Sequence, residues 1–387
     1  MTSLSGPPGG RVLSWLHIGD LHITEAGLEN HRDLGRIVAL ANALPPGNLD
    51  FALLPGDNAD DGTPEQFALV RDAVAPLRLP LHILPGDHDF KPRSLDAYHA
   101  VLGAERLPFA VTLKGHRCLF LDVVSAGTGG PDFRLGADQL AWAGEQLQAA
   151  EAAGKGAVVF MHTYPADLRE GDGALGTLLA KPQVLCVDMG HTHYNELAND
   201  GGTIFMATRS TGQVEEGPPG CSIAAVDGGV VSWRFKALDD AWPFVLVTQP
   251  ADRRLLTNPA QVVDGPFTVR AKLLGDALPA RVEAQVDAGA WVPMAPVAEE
   301  VALWSAQIGQ PGGTVRVRAV DMQGRTDEDA VQPAHPGWAA PAPRRTAAMR
   351  TALAPGRSGA SSASSLARTA RGRNGRHCNG AGRRRPG

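Results

Sequence analysis

Cysteine is scarce and scattered. Of 387 residues only four are cysteine, Cys118, Cys186, Cys221 and Cys378, and no two stand at CxxC spacing. That argues against a disulfide framework or a zinc knuckle, and the first three read as buried, reduced thiols in strands. No apolar run approaches the roughly 20 residues that a membrane helix needs. The N-terminus lacks the basic-then-apolar pattern of a signal peptide, so the expected location is cytoplasmic. Acids and lysine are missing from residues 341–387, where eleven arginines stand. Taking those eleven from the net charge of −5 leaves −16 on residues 1–340. A body so negative is not expected to be a nucleic-acid platform, and no membrane partner is expected either.

What is present is a recurrent strand ending. Ser14–Ile18 runs into Gly19-Asp20-Leu21-His22, and Phe51–Leu54 into Pro55-Gly56-Asp57-Asn58-Ala59-Asp60. Leu79–Leu84 runs into Pro85-Gly86-Asp87-His88-Asp89. Val158–Met161 runs into His162, and Leu185–Met189 into Gly190-His191-Thr192-His193. In an open α/β sheet, ligands bind outside the carboxyl ends of the strands. Five apolar segments that all end in Asp or His therefore point to one shared site. Mixed imidazole and carboxylate donors suit Mn, Fe, Zn or Co rather than Ca or Mg alone.

The segments between these endings set the fold class. Residues 30–43 carry Leu34, Ile37, Val38 and Ala41 at helical spacing, and Pro45-Pro46 stops them. Thr63-Pro64-Glu65-Gln66 opens a second helix, with Thr63 as N-cap and Gln66 able to close a capping box. Strand, helix, strand, helix, strand is the rhythm of a parallel sheet. Phe109–Leu113 and Cys118–Val124 read as a hairpin, Gly136–Ala153 as a helix, and the segments from Thr203 to Phe235 as antiparallel strands. Leu238–Pro250 reads as a boundary. Beyond it, Phe267–Leu273, Arg281–Val286, Trp291–Met294 and Thr314–Val320 alternate apolar and polar residues between turns, which predicts a small all-β sandwich of fibronectin-III or immunoglobulin-like type. From about Ala334 the composition supports no core. The expected domains are residues 1–240, 241–335 and a disordered Arg-rich tail, 336–387. The β-sandwich is expected to pack on the first domain or to mediate self-association.

Asp20-x-His22, Gly56-Asp57-x-x-Asp60, Gly86-Asp87-His88-Asp89, His162 and Gly190-His191-x-His193, in that order, resemble the calcineurin-like metallophosphoesterase family. Its pattern is DxH, GDxxD, GNH[DE], H, GHxH. The resemblance spans roughly residues 12–236 and looks most like the class III cyclic-nucleotide phosphodiesterases. It implies an αββα sandwich and a dinuclear centre of transition-metal ions, Mn, Fe or Zn. It implies that Asp20, His22 and His193 hold one ion, that Asp57 bridges, and that Asp87, His162 and His191 hold the other. It further implies that water activated by the ions attacks phosphorus, with His88, oriented by Asp89, steadying the phosphoryl oxygen or protonating the leaving alkoxide. The family usually has Asn where this chain has Asp87.

The expected function is hydrolysis of a small phosphodiester, such as a 3',5'-cyclic nucleotide. A phosphomonoesterase, a nuclease, or a catalytically degenerate metal- or phosphate-binding protein are the alternatives. His17 lies inside its strand and reads as a plain strand residue. Asp60 and Asp61 read as structural, His31 and His82 are unassigned, and Arg134 and Arg209 read as solvated surface arginines.

Overall fold

The computed structural model describes residues 11–339. The expected disordered tail, apart from its first four residues, lies outside the described residues.

The first part alternates strand and helix: β1 (Leu13–His17), α1 (Glu29–Asn42), β2 (Phe51–Leu54), α2 (Pro64–Val74), β3 (Leu81–Ile83) and α3 (Asp96–Leu102). A hairpin, β4 (Phe109–Leu113) and β5 (His116–Phe120), leads to α4 (Ala137–Ala152), β6 (Ala157–Phe160), α5 (Asp172–Leu179) and β7 (Val184–Met189). Four strands follow: β8 (Glu196–Asn199), β9 (Ile204–Ala207), β10 (Gly220–Asp227) and β11 (Val230–Ala237). They build two sheets, in the orders β11-β10-β1-β2-β3 and β4-β5-β6-β7-β9-β8. β1, β2 and β3 are parallel, with Leu16 beside Ala52 and Leu53 beside His82. β5, β6, β7 and β9 are parallel as well.

Side-chain alternation explains the layering. Leu13, Trp15, Phe51, Leu53, Cys118, Phe120, Val158 and Phe160 fill one core between the sheets. Their neighbours Leu16, Ala52, Leu54, Leu119 and Val159 point the other way, under Leu34, Ile37 and Val38 of α1, Phe67 and Val70 of α2, and Ala143 and Leu147 of α4. A period of two, buried on both faces, is what central strands between two helical layers require. The result is the expected αββα sandwich. Thr63 caps α2 as the sequence predicts, its hydroxyl accepting from the Gln66 N–H at 3.3 Å. The box closes differently, because the side-chain Oε1 of Gln66 accepts from the backbone N–H of Asp61.

The C-terminal region is antiparallel β. β12 (Phe244–Gln249), β13 (Phe267–Leu274), β14 (Pro279–Val286), β15 (Val292–Pro293), β16 (Ala295–Pro296), β17 (Leu303–Ile308), β18 (Val315–Asp321) and β19 (Thr326–Val331) form two four-stranded sheets, β12-β13-β17-β16 and β15-β14-β18-β19. The stretch read as a boundary holds β12, a strand with two buried faces. Val245 and Val247 enter the sandwich core, while Phe244 and Leu246 join the core over the first sheet. Ala334 and Trp338 also pack, against Val230, Ala251 and Leu256, where a tail with no core was expected to begin. No helix among the described residues is long and apolar enough to cross a membrane.

Lys272, on β13, is only 3% exposed. Burial pulls its ammonium down to about 8, against the partial support of Asp50, Glu300 and Asp227. A folded pKa below the unfolded value means that unfolding takes up a proton between roughly pH 8 and 10.4. The penalty is therefore full below pH 8 and fades as pH rises to about 10. Lys272→Met is expected to stabilise the protein at pH 7, and its advantage over wild type should shrink toward pH 10. Urea midpoints at both pH values check this, and an advantage that does not depend on pH would refute it.

Candidate metal centre

The residues singled out in the sequence converge at the carboxyl ends of β1, β2, β3, β6 and β7. Getting them there costs backbone strain. His22, Asp57, His191 and His193 hold left-handed φ values of 45°, 51°, 65° and 61°. Each such residue costs on the order of 1–3 kcal/mol, and clusters of them mark functional sites. Two glycines make room for the side chains. A Cβ on Gly56, at φ 124°, would stand 2.3 Å from Nδ1 of His162, and one on Gly190 would stand 2.2 Å from Oδ1 of Asp20.

The donors fall into two groups that straddle the sheets. Asp57, Asp87, His162 and His191 offer ligand atoms within 4.8 Å of one another, and so do Asp20, His22 and His193. His162 Nε2 lies 3.5 Å from Oδ1 of Asp57 and 3.4 Å from Oδ1 of Asp87. His191 Nδ1 lies 3.5 Å from the same Asp87 oxygen. In the other group, His22 Nε2 is 3.0 Å from His193 Nε2 and 3.6 Å from Oδ2 of Asp57. Asp57 thus turns one oxygen toward each group. The Oδ1 atoms of Asp20 and Asp87 and the Nε2 of His162 are buried without a hydrogen-bond partner. Orphaned buried acceptors are costly, and these belong to the donor groups. Imidazole and carboxylate oxygen at this spacing fit two transition-metal ions.

The family model described as calcineurin-like phosphoesterase matches residues 13–195. Those residues are a calcineurin-like phosphoesterase domain. The chain is 29% identical over 209 residues to the 3',5'-cyclic adenosine monophosphate phosphodiesterase CpdA of Escherichia coli K12, covering 51% of this chain and 73% of that one. It is 28% identical over 200 residues to the glycerophosphodiester phosphodiesterase GpdQ of Enterobacter lignolyticus, covering 46% and 69%. A probable cyclic nucleotide phosphodiesterase of Synechococcus is 28% identical over 217 residues, covering 52% and 81%.

Electrostatics of the phosphoesterase domain centre on its buried acids. Burial raises Asp20 well above the usual carboxylate range. Burial pushes Asp57 the same way, but the nearby His162 ring outweighs it and holds Asp57 at about 2. Asp87 is held well below its usual range, because His162 and His191 outweigh its burial. In return, Asp57, Asp87 and Asp20 overcome burial and raise His162 well above a normal imidazole. Burial lowers His22 to about 4, so His22 offers a neutral ring. The acids therefore draw positive charge to a spot where the histidines of the other group do not supply it.

Surrounding groups fix the rings. The carbonyl of Pro55 lies 2.9 Å from Nδ1 of His162, which leaves Nε2 facing the site. Asp60 approaches Nδ1 of His22 at 3.2 Å through Oδ1. It also receives Nδ1 of His88, at 2.8 Å through its carbonyl and 3.0 Å through Oδ1. The expected pairing of His88 with Asp89 is absent. Asp89 instead accepts from the N–H groups of Gly86, Ala59 and Asn58 and from the Asn58 amide. It turns back to brace its own loop against the one after β2, and Asp60 takes the place expected for it. Burial and the Asp57 charge raise Asp89 to about 6, against those backbone donors.

The remaining candidates lie elsewhere. Arg134 pairs with Asp132 and Glu170, and Arg209 donates to the carbonyls of Glu216 and Pro218 while stacking on Phe235. His31 accepts from Gly27, and His82 meets Glu105 at 3.2 Å. Sequence reasoning missed Phe133, whose ring packs edge-on to His191 at 4.8 Å, and Glu215, 3.7 Å from Nδ1 of His193. Neither sits in a motif. Asp60 does, as the second acid of Gly56-Asp57-Asn58-Ala59-Asp60.

Asp89→Ala would leave three backbone N–H groups buried and unpaired. We expect a loss of about 3 kcal/mol in urea unfolding. A loss below about 0.5 kcal/mol would mean that Asp89 does not brace the loop.

Proposed function

We propose that the protein is a dinuclear-metal phosphodiesterase acting on a small phosphodiester, a cyclic nucleotide among the candidates. The observation that carries this reading is the pair of donor groups that share Asp57, with a His88 nitrogen within 4.8 Å of His22 and Asp57 donors. Asp20, His22 and His193 would hold one ion, Asp87, His162 and His191 the other, and Asp57 both. Such ions supply Lewis acidity toward the phosphoryl group and a nucleophile at neutral pH. The protein positions them and handles the protons. With Nδ1 of His88 committed to Asp60, Nε2 is the atom free to donate, first to a phosphoryl oxygen and then to the leaving alkoxide.

Charge supports a diester over a monoester. Asp20, Asp57 and Asp87 leave two divalent ions with a single net positive charge, where an asparagine at 87 would leave two. Lowering the charge of the centre takes about twice as much attraction from a dianionic monoester as from a monoanionic diester. The relatives are named as phosphodiesterases too. We place the division of labour near residue 240. Among the described residues, no hydrogen bond or ion pair of the nine candidate residues involves 244–339.

His191→Ala and Asp57→Ala should each cut turnover of bis(p-nitrophenyl) phosphate with Mn, Fe or Zn by orders of magnitude in a folded protein, and a chelator should do the same. Activity above about a tenth of wild type in either variant would overturn the ligand assignment. Asp87→Asn should shift preference toward p-nitrophenyl phosphate with the metals held fixed. An unchanged diester-to-monoester ratio and unchanged bound metals would refute the charge argument.

A further inference from the structure

Alternation along β1 sends Leu13, Trp15 and His17 into the layer between the sheets, and Asp188 on β7 reaches the same layer from the other side. The other positions of that layer along β1, β5 and β6 are apolar, except His116 at the start of β5. At the end nearest the metal centre, however, Nδ1 of His17 meets Oδ1 of Asp188 at 2.8 Å, and the indole of Trp15 donates to Oδ2 at 2.6 Å. All three residues are 0% exposed, and Nε2 of His17 is buried with no partner. Such a group gives little net stability, since apolar side chains of similar size fill a core as well or better.

Its position suggests another role. His17 stands three residues before Asp20, and Asp188 three before His191. Directly above, the backbone N–H of His191 donates to Oδ2 of Asp20 at 2.7 Å. The two bonds are successive rungs between the same two strand ends. Both donor groups need that spacing: Asp20, His22, Asp57 and Asp87 come from the first sheet, and His162, His191 and His193 from the second. We propose that His17, Asp188 and Trp15 are positioning residues, a polar clamp that sets the distance between the sheets where the two halves of the metal centre meet. The proposal rests on the metal reading above.

The test uses full-length protein and Mn(II). Dissociation constants are measured by chelator competition on the metal-free protein, and spin coupling between the two ions by low-temperature electron paramagnetic resonance. His17→Leu should weaken Mn(II) binding about tenfold or more and replace the coupled signal with isolated-ion signals. His17→Asn places an amide nitrogen near the position of Nδ1 and should restore both. The triple variant Trp15→Phe, His17→Leu, Asp188→Leu leaves no orphaned polar group, so it should fold with unchanged or higher thermal midpoint and still bind Mn(II) more weakly. A triple variant that binds and couples Mn(II) like wild type would overturn the clamp, as would a folded His17→Asn that fails to restore binding. Wild-type protein that takes up no Mn(II) would instead remove the metal reading, and the clamp with it.

Discussion

Asp20, Asp57 and Asp87 lie buried at 0%, 1% and 7% exposure, with ligand atoms of Asp57 and Asp87 within 4.8 Å of each other. Like charges so close in a low-dielectric interior repel strongly, and only compensating positive charge makes the arrangement tolerable. The upper end of the fold answers that constraint. Oδ1 of Asp57 accepts from the N–H of His88, and Asp20 from that of His191. His162 stands within reach of Asp57 and Asp87, which raise its imidazole above the ordinary range. Left-handed turns and close-fitting glycines are consequences of crowding these donors around one point.

Strain of this kind needs a rigid frame. Trp15 stacks on Phe51 at 5.9 Å, and Phe120 stacks on Phe160 at 4.7 Å, with Trp15 edge-on to Phe160. These large rings fix the sheets' separation in the body of the sandwich by shape. Near the site the rings give way to His17 and Asp188, which fix it by direction. Dispersion is non-directional and tolerates sliding, whereas a 2.8 Å hydrogen bond does not.

The site was legible where chemistry is local. Gly-Asp, Gly-His and Asp-x-His after an apolar run can be read without a structure, and so can Thr63 before Pro64. Partnerships made across the fold were not. Asp60 and Asp89 are both acids two or three residues from a candidate donor, and only the path of the loops decides which of them meets His88. The missed elements share a different cause. β19 reads Thr-Asp-Glu-Asp-Ala-Val, a pattern with almost no apolar face. Its acids are used by structure far away in sequence: Asp327 accepts from the backbone of Val245 and Asp329 from that of Val247. α3 and α5 are short, and β17 lies between turns that mask its alternation.

Those same acids explain why the chain should not be cut at the apparent boundary. β12 is an edge strand of its sheet, and its N–H groups at 245 and 247 would be open to stray pairing. Asp327 and Asp329 close them, and Arg234 of β11 joins the arrangement through Asp327 and the carbonyl of Val245. With Phe244 and Leu246 seated on the first sheet, removing the β region would strip part of the cover from β10, the strand paired to β1 along its whole length. β1 leads directly to Asp20 and His22. The β region therefore supports the frame of both sheets, the first through β10 and β11 and the second through Asn199 of β8, which donates to the carbonyls of Arg254 and Leu256.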